Sequence, residues 1–170
     1  MENNSGKQFE ELINAHKGII IKVAKMYAYT DAKQKDLFQE IVIQLWKAYP
    51  RFKGQSKWST WIYRVALNTA ISGLRKEKKE IIAFMPDLSF LDRTEINENE
   101  DKEQKLTLLY AAIRQLNQID TAVVMLYLDD KGYDDMEEIL GINQGNLRVR
   151  LSRIKDRLRQ ITKKDLYGTR

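Results

Sequence analysis

Apolar residues recur every three or four positions in the first part of the chain, which is the spacing of one face of an α-helix. The pattern predicts a first helix over about residues 9–27. It predicts a second helix that begins near Asp36 and ends before Pro50, because the proline ring cannot continue a helix. The predicted inward faces are Phe9, Leu12, Ile13, His16, Ile20, Val23 and Tyr27 in the first helix, and Phe38, Ile41, Val42, Leu45 and Trp46 in the second.

A third helix is predicted from Ser56 to about Lys79, after a loop in which Gly54 is the turn residue. This segment carries an apolar stripe and, on a different face, a polar row that recurs every four residues. One face is expected to pack, and the other offers hydrogen-bonding and cationic groups. The stripe is Trp58, Trp61, Ile62, Val65, Ala66 and Thr69, and the polar row is Arg64, Asn68, Ser72 and Lys76.

The last part of the chain repeats the helical spacing in shorter segments. The sequence predicts two helices, followed by a short helix from about Asp134 to Leu140. Gly141 fits the left-handed position after a helix, and Asn143 is a good N-cap for a final basic helix. A short helix, a turn containing glycine and a basic helix form the pattern of a helix-turn-helix. The apolar positions of the two preceding helices are Leu106, Leu109, Tyr110, Ile113 and Leu116, and then Val123, Val124, Leu126 and Tyr127.

Residues 80–104 separate these two helical blocks. They contain a helix-breaking proline and an acidic run that is almost free of apolar side chains, which favours a flexible linker. The sequence therefore predicts an all-α protein with two small helical domains, residues 1–79 and 105–170, joined by an acidic linker. An alternative in which part of the segment packs back onto a domain stays open; it would use Phe84, Leu88, Phe90 and Leu91.

The amino-acid composition argues against several kinds of functional site. The 170 residues include no cysteine and one histidine, which argues against disulfides, thiolate zinc sites, His-rich metal sites and a Ser-His-Asp triad. His16 is interpreted as a packed side chain. No apolar run approaches the length that spans a bilayer, and the first residues are polar, so we expect a cytoplasmic protein without membrane insertion.

The distribution of charge points to a polyanionic partner. Residues 1–79 carry a net charge of +8 and residues 141–170 carry +7, whereas residues 80–104 and 105–140 carry −6 and −4. Two basic blocks separated by an acidic stretch suit two surfaces that face nucleic acid. A basic surface that is merely solvated is the alternative.

The second helix of a helix-turn-helix enters the major groove by its first turns. Arginine can form two hydrogen bonds with guanine, and asparagine or glutamine with adenine. Lys155 and Arg157 lie further along the helix and are expected to contact phosphate. The candidate base-reading residues are Gln144, Asn146, Arg148, Val149, Ser152 and Arg153.

Phe52, Trp58, Trp61 and Tyr63 form an aromatic group near the basic loop. Aromatic rings beside cations suit unpaired bases, which stack on the rings while phosphates are held electrostatically. The competing interpretation is packing, and we expect at least one of the two tryptophans to lie in the core.

An acidic group in the second block allows a rival reading, a metal-dependent nucleic-acid enzyme. Two of its members fall where a helix begins, and acids are favoured there by the helix dipole alone. The structural interpretation is therefore preferred. The group is Asp129, Asp130, Asp134, Asp135, Glu137 and Glu138.

Two motifs in this chain resemble the bacterial RNA polymerase sigma factors, most closely the small two-domain extracytoplasmic-function class. The likeness covers about residues 8–79 and 105–160, in the order region two and then region four. The residues that carry it are Asp36-Leu37-Phe38-Gln39-Glu40, Trp46, Arg51-Phe52 and the run 60–68 for region two, and the run 141–153 for region four.

The resemblance implies a function: the protein binds core RNA polymerase and directs it to specific promoters, without catalysis of its own, a metal or a cofactor. It also implies promoter DNA and an inhibitory anti-sigma factor as partners, with a monomeric free protein. The implied core polymerase-binding residues are Asp36, Gln39 and Glu40; those for the −10 element are Phe52, Trp61, Arg64, Asn68, Ser72, Arg75 and Lys76; those for the −35 element are Arg148, Val149, Ser152 and Arg153.

The chain departs from the family pattern at Leu116-Asn117-Gln118, where the family usually has Leu-Pro. Position 152 is a serine where some members carry a large residue, so the promoter sequence is not carried over. A stand-alone helix-turn-helix regulator is the rival within DNA binding, although it leaves the motif of residues 36–68 without a role.

Overall fold

The computed structural model describes residues 2–77 and 98–167, and within these ranges the chain forms helices and no strand. The all-α prediction is confirmed. Most of the predicted linker lies outside the described residues, as do the four apolar residues of the alternative in which it packs onto a domain. The helices are α1 (Glu2–Tyr27), α2 (Asp31–Ala48), α3 (Trp58–Glu77), α4 (Glu98–Arg114), α5 (Gln118–Leu128), α6 (Tyr133–Leu140) and α7 (Gln144–Tyr167), with a short 3-10 helix, Tyr49–Arg51, after α2.

The chain divides into two compact units, and α1, α2 and α3 build the first by packing against one another. Their contact is apolar, and most of the predicted inward positions lie there. Trp46 is an exception, because its side chain is exposed, and its assignment to the inward face is wrong. The residues with no solvent exposure are Ile20, Val23, Ile41, Leu45, Ile62 and Ala66.

Helix α2 begins at Asp31, earlier than the predicted start near Asp36. The Thr30 hydroxyl accepts a hydrogen bond from the Lys33 backbone N–H at 3.2 Å, which caps the helix. The side chain of Gln34 also donates to the Ala28 carbonyl at 3.1 Å and so ties the start of α2 to the end of α1. The stripe of apolar residues gave no sign of this polar first turn.

Helices α4, α5 and α7 build the second unit. The buried Thr121 hydroxyl donates to the Ile113 carbonyl at 3.3 Å and links α5 to α4. Leu106 and Tyr110, which belong to the predicted apolar stripe of α4, are exposed, whereas Ala112 and Ile113 in its last turn are buried. The core residues of the unit include Ala112, Ile113, Val123, Leu126, Leu147 and Leu151.

The segment before α7 has the predicted turn. Gly141 has a φ of 69°, in the left-handed region that favours glycine. The Asn143 side chain accepts a hydrogen bond from the Asn146 backbone N–H at 2.8 Å, so Asn143 is the N-cap of α7. Helix α6, this turn and α7 therefore follow one another as in a helix-turn-helix.

The start of α4 corrects part of the linker prediction. Residues 98–104, which the acidic composition placed in an irregular linker, are helical. Acidic residues near a helix N-terminus interact favourably with the helix dipole, and Lys105 Nζ lies 2.7 Å from an Asp101 carboxylate oxygen. The side chains of residues 101–106 are exposed, so these turns add nothing to the core.

Candidate nucleic-acid interface

An exposed polar row runs along α3. Arg64, Asn68 and Ser72 are all exposed and stand four residues apart, so they share one face of the helix. Trp61, half-buried, lies three residues before Arg64 and borders the same face. Arg75 belongs to the same helix, as does Lys76 at the next position of the row, but their side chains lie outside the described part of the chain.

The predicted aromatic group is brought together in part. The ring centroids of Phe52 and Trp58 are 4.0 Å apart, and those of Phe52 and Trp61 are 5.1 Å apart. Trp58 meets Trp61 edge to face at 5.7 Å. Neither tryptophan is fully buried, so the expectation that one lies in the core is wrong. Tyr63 is the core residue, with 1% of its surface exposed.

Three further rings extend this group toward α1 and α2. Tyr49 stacks on Trp58 at 6.0 Å and lies parallel to Trp46 at 6.5 Å. Phe9 meets Trp46 edge to face at 4.9 Å and Tyr49 at 5.3 Å. Sequence reasoning missed these contacts, although Trp46, Tyr49 and Phe52 follow one another at three-residue steps. We call the six rings the aromatic cluster: Phe9, Trp46, Tyr49, Phe52, Trp58 and Trp61.

The exposed face of α2 mixes carboxylates with large apolar side chains. Asp36, Gln39 and Glu40 are exposed, as their predicted role requires. Ile43 and Trp46 continue the face at helical spacing and leave 46% and 47% of their surfaces exposed. Acidic and apolar groups together suit a protein surface rather than a phosphate backbone. Ile43 was missed, although its three-residue step from Glu40 was a usable signal.

Helix α7 separates its core residues from its candidate base readers. Leu147, Leu151, Ile154 and Leu158 are buried and hold the helix in the second unit. The candidate readers lie between these positions on the outer side. Asn146, Arg148, Val149, Ser152 and Arg153 are exposed, and Gln144 is half-buried at the first turn.

Tyrosine rings lie close to two cations of α7. The Arg148 guanidinium carbon lies 4.7 Å from the centre of the Tyr133 ring, which belongs to the first residue of α6. The Lys155 ammonium lies 4.2 Å from the centre of the Tyr127 ring and donates to its hydroxyl oxygen at 3.1 Å. Both cations are thereby held on the exposed side of α7 by rings outside that helix.

Arg150, by contrast, is paired within the second unit. Its guanidinium forms a hydrogen-bonded ion pair with a carboxylate oxygen of Asp120 in α5. The other Asp120 oxygen accepts from the Asn117 side-chain amide at 2.7 Å, and Asn117 is the N-cap of α5. The departure from the Leu-Pro pattern therefore has a structural role, because Asn117 caps a helix and orients Asp120.

A groove of about 440 Å³ lies along α7. It brings Asn146, Val149 and Arg153 together, and Arg148 and Ser152 do not line it. The base-reading candidates therefore form two neighbouring groups on one helix. The groove residues are Asp120, Ile142, Asn146, Val149, Arg150, Arg153, Ile154 and Arg157.

The acidic group of the second block is spread over separate helix ends. Asp129 ends α5, Asp130 has a left-handed φ of 55°, and Asp134 and Asp135 occupy the first turn of α6, as the dipole argument predicts. In residues 2–77 and 98–167, no three His, Asp or Glu side chains are grouped in a way that could hold a metal ion.

Burial, with a smaller contribution from nearby Tyr29, raises the pKa of the Tyr27 hydroxyl far above its ordinary value. Tyr27 belongs to the core of the first unit, with 5% of its surface exposed. Within the described ranges, no helix is both long and apolar enough to cross a membrane.

Comparison with known proteins gives the same two segments. The model of sigma-70 region 2 matches residues 12–80, and the model of sigma-70 region 4 matches residues 106–158. RNA polymerase sigma factor SigV of Bacillus subtilis is 26% identical over 156 residues, covering 91% of each protein. The ECF RNA polymerase sigma-E factor of Haemophilus influenzae is 28% identical over 132 residues, covering 71% of this chain and 70% of that protein.

Solved structures share the fold. The sigma factor RpoE of Bartonella quintana, solved in complex with the anti-sigma factor NepR, superposes with a TM-score of 0.71 at 20% identity, covering 94% of this chain and 99% of that one. CnrH, in complex with the cytosolic domain of CnrY, gives a TM-score of 0.65 at 15% identity over 94% of this chain and 90% of that one.

Proposed function

We propose that this chain, which belongs to the sigma-70 family of RNA polymerase sigma factors and to its extracytoplasmic-function class, contacts promoter DNA through two separate surfaces. Members of the family direct promoter-specific transcription initiation. The observation that supports two separate DNA-contacting surfaces is that each helical unit presents exposed cationic and amide side chains outside its apolar core.

The first surface is the α3 row with the neighbouring rings, and it takes the melted −10 strand. Asn68 can donate to and accept from the edge of an extruded base, since its amide has both groups. Phe52 and Trp61 offer ring faces for base stacking, and Arg64 holds a phosphate. Ser72, Arg75 and Lys76 extend the contact along the helix. The exposure of Arg64, Asn68 and Ser72 supports this role.

The second surface is the outer side of α7, which reads the −35 element in duplex DNA. Arg148 and Arg153 present guanidinium groups that can form paired hydrogen bonds with guanine. Gln144, Asn146, Val149 and Ser152 complete the face, and Lys155 and Arg157 contact phosphate. Arg150 is excluded as a base reader because Asp120 holds its guanidinium.

The exposed face of α2 binds core RNA polymerase. Asp36, Gln39 and Glu40 supply polar contacts, and Ile43 and Trp46 supply apolar area further along the same face. Protein–protein interfaces combine large apolar side chains with polar groups in this way. Because RNA polymerase is the partner, we place the protein in the bacterial cytoplasm.

An anti-sigma factor is proposed as the inhibitory partner. Two structural neighbours, RpoE and CnrH, were solved as complexes, the first with the anti-sigma factor NepR and the second with the cytosolic domain of CnrY. The free protein is monomeric in this proposal and performs no catalysis.

The experiment is run-off transcription by purified bacterial core polymerase on a library of templates with randomised −35 and −10 segments. The expected result is transcripts that require this protein and share one promoter sequence. The double variant R148A/R153A should lose that selection. A matched control, R159A, removes an exposed arginine that pairs with Asp156 on the same helix and should keep it.

Two outcomes would replace the proposal. Tight sequence-specific duplex binding without core polymerase, and no transcripts with it, would indicate a stand-alone regulator. Metal-dependent cleavage of the template that D134A abolishes would indicate an enzyme.

A further inference from the structure

Tyr133 meets a candidate base reader from a neighbouring helix. It is the first residue of α6, half-buried, and its ring lies under the guanidinium of exposed Arg148 at 4.7 Å. Gly132 precedes it, and the Gly132 carbonyl accepts from the Met136 backbone N–H at 2.9 Å, which fixes the start of α6. The ring therefore stands on an ordered helix end rather than on a loop.

The contact has a directional consequence for arginine. The guanidinium is planar, and its N–H donors lie in that plane, so an aromatic ring against one face leaves the donor edge available. Recognition of guanine by paired hydrogen bonds requires that edge to point into the groove. An unsupported arginine on a helix surface samples many rotamers, and ordering it on binding reduces affinity.

We propose that Tyr133 is a positioning residue for base reading by Arg148. Its ring holds the guanidinium plane in the orientation that meets a base pair, and it acts without touching the base itself. The inference rests on the −35 role proposed above for Arg148, and it adds a residue outside the recognition helix that determines specificity at one promoter position.

The chain contains a matched comparison two turns further along α7. Tyr127 also lies beside a cation of α7, with 4.2 Å between the Lys155 ammonium and the ring centre, and its hydroxyl oxygen accepts a hydrogen bond from that ammonium. An ammonium is a compact point charge without a donor plane, and Lys155 is assigned to a phosphate. Loss of the Tyr127 ring should therefore change affinity equally for all sequences, whereas loss of the Tyr133 ring should change the preference for one base pair.

The test uses holoenzyme assembled from full-length variants and core polymerase, with duplex −35 probes taken from the selected promoter and substituted one base pair at a time. We expect Y133L to lower the preference at the position read by Arg148 by about two- to five-fold, the range of an exposed cation–π contact. Y133F, which keeps the ring, should retain the preference. Y133L should add nothing further in an R148A background, and Y127L should leave every preference unchanged.

Any other pattern of results in these variants contradicts one specific part of the proposal. An equal loss in Y133F and Y133L would assign the effect to the hydroxyl and reject positioning by the ring. Equal loss at all positions, or an undiminished Y133L effect in R148A, would also reject it. A normal preference at every position in R148A would remove the base-reading role of Arg148 itself. Thermal unfolding of each variant by circular dichroism separates these results from a loss of folding.

Discussion

Replacement of Asp120 should lower the stability of the second unit and leave the stability of the first unit unchanged. Asp120→Ala removes the ion pair with Arg150 and the hydrogen bond from Asn117. The Asp120 and Arg150 side chains are 18% and 39% exposed, so the pair is partly shielded from water. A charge-assisted hydrogen bond in such a site, together with the lost amide contact, predicts a cost of about 2 kcal/mol in the free energy of unfolding of the second unit.

The assay uses the location of the tryptophans. All three, Trp46, Trp58 and Trp61, lie in the first unit. Tryptophan fluorescence in a urea titration therefore reports the first unit, whereas far-ultraviolet circular dichroism reports both. We expect D120A to leave the fluorescence midpoint unchanged and to move part of the dichroism transition to lower urea.

Two comparisons complete this prediction. D156A breaks the exposed pair with Arg159, whose side chains are 65% and 68% exposed, and should cost at most about 0.5 kcal/mol. The double variant D120A/R150A should be less destabilised than the sum of the single variants, since Arg150 loses the same partner in both. Full additivity, or a D120A midpoint equal to that of D156A, would refute the role given to this network.

Three further predictions concern single sites. Asn68→Ala should reduce permanganate reactivity of promoter thymines in the presence of core polymerase while −35 duplex affinity stays unchanged; normal reactivity would remove the base-capture role. Ile43→Lys on α2 should weaken binding to core polymerase at least about ten-fold, by burying an unpaired charge. Ile21→Lys on α1, at a position that is also exposed (38% against 46% for Ile43), should not, as titration calorimetry would show. Asp130→Gly should raise the free energy of unfolding by about 0.5–1 kcal/mol and Gly141→Ala should lower it by about 1 kcal/mol, because both positions have a left-handed φ; opposite signs in urea unfolding would contradict this.

Periodicity located the helices because burial of an apolar stripe is the main stabilising term for a helix in a small domain. It placed Phe9, Ile13, Ile20, Val23 and Tyr27 of α1 in the core correctly. Turn chemistry predicted Gly141 and Asn143. The start of α2 was missed because a threonine cap and a polar first turn decide it, and these leave no apolar signal. The exposed positions Leu106, Tyr110 and Trp46 were misassigned because periodicity shows which residues share a face and does not show where a partner helix stops.

In the candidate sites, sequence spacing predicted which residues are exposed but not which residues contact one another across helices. Asn68 and Arg148 are exposed because both stand off the apolar stripe of their helices, and their DNA-contacting roles stay predictions. The contacts of Arg148 with Tyr133 and of Arg150 with Asp120 join residues far apart in sequence, and their partners depend on how helices cross. Sequence spacing separated base-reading from phosphate-contacting positions on α7, but it gave no sign of the partners of Arg148 and Arg150 on other helices.

The arrangement of α7 bears on how this protein can diverge. Leu147, Leu151, Ile154 and Leu158 anchor the helix, and none of them belongs to the outer face. Substitution of most outer residues therefore leaves the packing of the unit intact. Duplicated copies of the protein can acquire a new promoter specificity without first losing stability. Arg150 is the exception, because its ion pair with Asp120 in α5 contributes to the stability of the unit. Libraries designed to give variants that recognise different promoters should therefore randomise positions 148, 149, 152 and 153 and keep position 150 fixed.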